Sequence, residues 1–132
     1  MINPSDVVKM FIPFPSIESG LAYKKHMYVV ENDRFSVFAI QTAKPQLVEQ
    51  AVLNNYLVLN PGDMSPVVRQ SYLGMDTRFI LEGVEISDSV KASIGFSEYL
   101  FGIVKSKARF VTDNVVLNQR EVAQLNEGVT LL

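Results

Sequence analysis

The sequence predicts a mainly β fold, a small barrel or strongly bent sheet finished by a C-terminal helix. Three observations carry this. Short apolar segments follow one another up to about residue 82, split by Gly, Pro, Asn and Asp at hairpin spacing. The first of them alternates with the period of a strand. Near the end, Asn118 stands three residues before Glu121, the signature of a capped helix start.

The elements follow in order. In residues 6–14, DVVKMFIPF, one register puts Val8, Met10, Ile12 and Phe14 on a common face. Pro13 and Pro15 lack a backbone donor and end this strand or hold it at an edge. Residues 15–22 are a loop punctuated by Gly20. A second strand over 25–31 and a third over 35–41 flank the turn at 31–33, which makes them a hairpin. Pro45 breaks the third strand, and residues 46–53 are expected to form a short helical turn. Tyr56–Leu59 is a strand stopped by the turn Asn60-Pro61-Gly62-Asp63. Residues 67–72 and 78–81 are further strands, divided by Gly74. Ser97 caps a helix over 97–106 with Leu100, Ile103 and Val104 on one face, weakened by about 1 kcal/mol at Gly102. The last helix carries Val122 and Leu125 as its apolar stripe, with Gly128 as its expected stop.

Composition narrows the function. A chain of 132 residues suits one domain, with a barrel core over about 3–82 and a helical extension over about 83–132. There is no cysteine, so disulfides, thiolate metal sites and thiol catalysis are excluded. A single histidine does not build a multi-histidine zinc site, and no cofactor is expected. No apolar run approaches the 18–20 or so residues that span a bilayer, and the N-terminal segment has no signal-peptide pattern. The expectation is a cytoplasmic protein without a membrane partner. The net charge of −2 argues against a general nucleic-acid coat, yet it leaves room for a local basic site.

The segment Ser19-Gly20-Leu21-Ala22-Tyr23-Lys24-Lys25-His26 poses the functional question, because two lysines and the only histidine open an apolar strand. Lysines there can simply guard a solvated edge. The order of motifs offers more. Ser5-Asp6-Val7-Val8, Ile12-Pro13-Phe14-Pro15, Lys24-Lys25-His26, Val29-Val30, Ile40-Gln41-Thr42, Ser65-Pro66-Val67-Val68-Arg69 and Met75-Asp76-Thr77 together resemble the MazF/PemK-like toxins of toxin–antitoxin modules over about residues 3–82. The resemblance implies an SH3-like barrel of the MazF/CcdB type that forms a homodimer. It implies metal-independent cleavage of single-stranded mRNA, and a cognate antitoxin peptide as partner. The family's Arg-Pro pair falls on Lys25-His26 and its Ser/Thr on Thr42. Here lysine stands for the arginine and histidine for the proline.

The chemistry suits these residue types. When the ribose 2′-hydroxyl attacks its own phosphodiester, the reaction needs a base, an acid and donors aimed at the phosphate oxygens. Lys25 supplies charge without the bidentate fork of arginine. His26 is of the type that exchanges protons near neutrality, and the Thr42 hydroxyl donates. Lys24, Gln41, Lys44, Arg69 and Arg78 are the expected RNA-binding residues, either arginine being able to replace the missing fork. The loop 15–22 is expected to lie over Lys25 and Thr42. Three structural alternatives stay open: an edge guard for the lysines, a packing role for His26, and a turn hydrogen bond for Thr42. The rival functional classes are a catalytically degenerate relative and a CcdB-type toxin that binds a protein. Lys105, Lys107 and Arg109 suit the C-terminal end of a helix.

Overall fold

β1 (Val7–Met10) pairs antiparallel with β2 (His26–Val30), and β2 pairs antiparallel with β3 (Ser36–Thr42). The computed structural model describes residues 1–50, 52–62 and 66–132. Asn32 builds the β2–β3 turn: its side-chain oxygen accepts from the N–H groups of Arg34 (3.0 Å) and Ser36 (3.3 Å). Phe35, with φ of 57°, closes the turn by donating its N–H to the Asn32 carbonyl. The expected hairpin is therefore present.

β3 carries two partners along its other edge. Its C-terminal end pairs with β5 (Ser71–Gly74) and its N-terminal end with β6 (Thr77–Ile80). Between them Asp76 holds the corner, its carboxylate accepting from the N–H groups of Asn54 and Asn55, both at 2.9 Å. β4 (Tyr56–Leu59) pairs with β5, and β8 (Asp113–Val116) runs parallel to β6. β7 (Val84–Ile86) and β9 (Val129–Leu131) form a separate two-stranded ribbon. The main sheet has seven strands in a branched arrangement, and its pairings among the described residues leave it open. The fold is α+β, dominated by antiparallel sheet, and no closed barrel forms among the described residues.

Three strand expectations shift. β1 ends at Met10, four residues short of the expected stretch 6–14. Residues 67–70 belong to no strand: only Val67 is buried, and the Ser71 hydroxyl donates to the Arg69 carbonyl (2.9 Å), so the segment turns locally before β5 begins. The pair after Gly74 starts at Thr77, one residue early. Asp63 of the predicted turn, Ser65 and Ala51 lie outside the described residues.

The helices are short. α1 (Pro45–Glu49) starts at the proline expected to break β3, one residue before the helical turn expected over 46–53, and ends at Glu49. α2 (Glu98–Lys107) is capped by the Ser97 hydroxyl, which accepts from the Leu100 N–H, and buries Leu100 and Val104. Lys105 and Lys107 occupy its last turn. α3 (Gln119–Leu125) starts where predicted, with the Asn118 side chain accepting from the N–H groups of Arg120 and Glu121. Its end differs. Asn126, not Gly128, terminates α3, because its buried amide exchanges two hydrogen bonds of 2.8 Å with the backbone of Phe11. Gly128 serves packing instead, since a Cβ there would collide with Val90. No helix among the described residues is long and apolar enough to cross a membrane.

β1 to β3 are buried on both faces, which explains their nearly unbroken apolar runs. Val8, Met10, Tyr28, Val30, Val37 and Ala39 face one cluster; Val7, Val29, Phe38 and Ile40 face the other. Val84, Leu117, Val122 and Val129 cover the first, and Ala92, Phe96, Leu100 and Val104 the second. Each such buried aliphatic contributes about 1.5–3 kcal/mol. Residues 83–132 thus add β8 to the sheet and supply residues to both layers that bury it. One polar atom sits badly: the Tyr28 hydroxyl is buried with no hydrogen-bond partner among the described residues.

Candidate functional site

The hairpin register sets the site. Met27 lies opposite Ile40, so continuing the antiparallel count puts His26 opposite Gln41 and Lys25 opposite Thr42. On the far side Thr42 pairs with Ser71, and the Ala43 N–H donates to the Gln70 carbonyl at 3.0 Å. Three segments, 24–27, 40–44 and 67–71, therefore wall one cleft of about 490 Å³. Lys24, Lys25, His26, Gln41, Thr42, Lys44 and Arg69 all line it. Four full cations meet there, and no acidic side chain among the described residues lines the cleft.

Arg78 is the one predicted site residue placed elsewhere. Its guanidinium donates to both oxygens of buried Glu31, at 2.6 and 2.9 Å, and to the Asn114 side-chain oxygen at 2.8 Å. It also lies 5.5 Å from the ring centre of Phe38. A fork already filled by a carboxylate is not available to a phosphate, so Arg78 holds β6 to the β2–β3 turn and does not replace the missing arginine. The sequence could not show this, because Glu31 meets it only through the β3–β6 pairing.

The pleat divides the remaining residues. Side chains alternate across a strand. Lys25 and Thr42 take the face of Val29, Phe38 and Ile40; His26 and Gln41 take the face of Tyr28 and Ala39. A second cavity of about 400 Å³ opens on that other face, lined by Phe14, Leu21, Phe79 and Asp76. His26 and Gln41 line both cavities, at the end of the sheet between them. The predicted cover is corrected in the same way: Pro15, Gly20 and Leu21 of the loop border the second cavity, not the lysine cleft. Gly20, at φ 55°, is needed there, because a Cβ would stand 2.6 Å from the Phe14 carbonyl oxygen.

His26 is held in one role. Its Nδ1 lies 2.9 Å from the Lys24 carbonyl oxygen. A carbonyl only accepts, so Nδ1 carries the proton, and in the neutral ring Nε2 keeps the lone pair. The arrangement offers a proton acceptor, a hydroxyl donor and four cations around a space large enough for a phosphodiester. Among the described residues no group of three or more His, Asp or Glu side chains is placed to hold a metal ion.

Sequence reasoning missed the ground beside the cleft. Lys9, Phe11 and Lys91 line an adjoining groove that also includes Lys25. Lys91 arrives there through its bridge to Val8, a pairing between distant segments that no local motif announces. No protein-family model, curated protein or solved structure matches this chain.

Proposed function

We propose that the protein is a metal-independent endoribonuclease that cuts single-stranded RNA in the lysine cleft, in the manner of a MazF/PemK-like toxin. The observation that carries this reading is the gathering of Lys24, Lys25, Lys44 and Arg69 around Thr42 and His26, on a chain whose net charge is −2. A cleft so charged favours a polyanion. In the proposed reaction the 2′-oxygen gives its proton to a base, attacks the adjacent phosphorus and expels the 5′-oxygen, which takes up a proton. The products are a 2′,3′-cyclic phosphate and a 5′-hydroxyl. His26 Nε2 exchanges the proton, Lys25 neutralises the phosphate, and the Thr42 hydroxyl donates to a non-bridging oxygen. Lys25 in place of arginine makes the phosphate grip monodentate, so a modest rate belongs to the proposal.

The finer architecture belongs to the same reading: the branched antiparallel sheet around β3 is taken as an opened relative of the SH3-like barrel. So do the cytoplasmic site of action, a homodimeric working unit and a cognate antitoxin peptide that competes for the cleft.

The test is cleavage of a mixed-sequence single-stranded RNA in the presence of a chelator, with a matched strand in which every ribose is 2′-deoxy. Cleavage of the first to cyclic-phosphate ends, with the second left intact, supports the proposal. Equal cutting of both strands would rule out the 2′-hydroxyl route.

A further inference from the structure

The groove beside the cleft extends its charge. It encloses about 720 Å³ and is lined by Lys9, Phe11, Lys25, Lys91, Asn126 and Glu127, among others. Lys25 belongs to both spaces. Taken together, the two are lined by Lys9, Lys24, Lys25, Lys44, Arg69 and Lys91, which is six of the chain's twelve Lys and Arg residues. Against them stands one of its fourteen acidic residues, Glu127, among the described residues. On an acidic chain that segregation needs a reason. Self-repulsion of like charges costs stability unless a counter-charge arrives.

We infer that the Lys9–Lys91 groove is a second binding segment for the same RNA strand, which runs from the Arg69 end of the cleft, past Lys25, and over β1. Its make-up fits a single strand better than a simple anion. Phe11 is half-buried and presents a ring beside the Lys25 ammonium, 5.9 Å from the ring centre. An aromatic face among cations is the usual means of holding an unpaired base between phosphates. The Phe11 backbone is fixed by the Asn126 amide through both its N–H and its carbonyl, so the ring stands on a rigid support. Lys91 spends part of its charge on Asp6, at 3.5 Å, while Lys9 makes no ion pair among the described residues. Lys9 therefore contributes more of the two. This inference rests on RNA binding in the cleft and adds the direction in which the strand continues.

The experiment compares two non-cleavable 2′-O-methyl strands, four and twelve nucleotides long, by fluorescence anisotropy. It uses the wild type and the double variant Lys9→Ala, Lys91→Gln, both shown by thermal melting to be folded. The short strand reports the cleft alone. The expected result is unchanged affinity for the short strand and about five-fold weaker binding of the long one. The salt slope for the long strand should fall by about 1.4, at about 0.7 per lost phosphate contact on a single strand. Equal affinities for the long strand would overturn the groove and leave the cleft standing. Failure of the wild type to bind either strand would overturn both. Binding of a poly-glutamate peptide that depends on Lys9 and Lys91, with no such dependence for RNA, would make the groove a protein site and overturn the proposal.

Discussion

Arg78 and Lys25 are both cations close to the β2–β3 hairpin, and the structure uses them in opposite ways. Arg78 is half-buried, gripped by both oxygens of Glu31, by Asn114 and by the face of Phe38. Lys25 is exposed, makes no ion pair among the described residues, and has the Phe11 ring 5.9 Å from its ammonium. The first cation is consumed by the fold, while the second has no counter-charge among the described residues. A basic residue is a candidate for binding only after its internal partners have been counted.

The contrast can be broken by variants. Glu31→Gln removes the charge that balances Arg78 and should show the largest loss of stability, about 3 kcal/mol by urea unfolding, since it leaves a half-buried cation beside a neutral, buried amide. A loss below about 0.5 kcal/mol would mean that Arg78 is free enough to bind elsewhere. Lys25→Ala and Thr42→Ala should each change stability by no more than about 0.5 kcal/mol, as exposed positions do, while abolishing RNA cleavage. A large loss of stability in either would assign these side chains to the fold.

Tyr28 sharpens the comparison from the side of the core. Burial pushes its hydroxyl well above the usual phenol value of about 10. The folded state therefore holds its proton where the unfolded state releases it. That contribution is intact below pH 10 or so, and is lost at about 1.4 kcal/mol per pH unit as pH rises above it. Tyr28→Phe should remove this alkaline loss. At neutral pH it should also raise stability by about 1 kcal/mol, because it deletes a buried hydroxyl without a partner. A neutral-pH loss of that size would instead show that the hydroxyl makes a bond in solution.

Much of the site was legible before the fold was known. The hairpin followed from two apolar runs around the Glu31-Asn32-Asp33 turn, and pairing alone brings Lys25 to Thr42. The caps at Ser97 and Asn118 were visible because a side chain bonds a backbone only three residues away. What stayed hidden depends on distant contacts. Glu31 reaches Arg78, Asn126 reaches Phe11, and Lys91 reaches the edge of β1 only through tertiary pairing. Residues 67–70 misled for a related reason: their apolar pair resembles a strand, yet among the described residues no strand pairs with them. The open sheet belongs with these. Turn spacing marked strands only up to β6; β7, β8 and β9 follow in the segment read as helical, and spacing leaves open whether the first and last strands meet.

The central claim is that the unpaired cations of the cleft act on RNA. Its most direct test is the rate at which wild type, Lys25→Ala and Lys25→Arg cut one single-stranded RNA in the presence of a chelator, with all three shown to be equally stable. Measurable cleavage is expected from the wild type, none from Lys25→Ala, and faster cleavage from Lys25→Arg, whose fork grips two phosphate oxygens. If neither the wild type nor the arginine variant cuts any single-stranded RNA, while an acidic peptide binds the wild type and not Lys25→Ala, the cleft is a docking surface and the nuclease reading is contradicted.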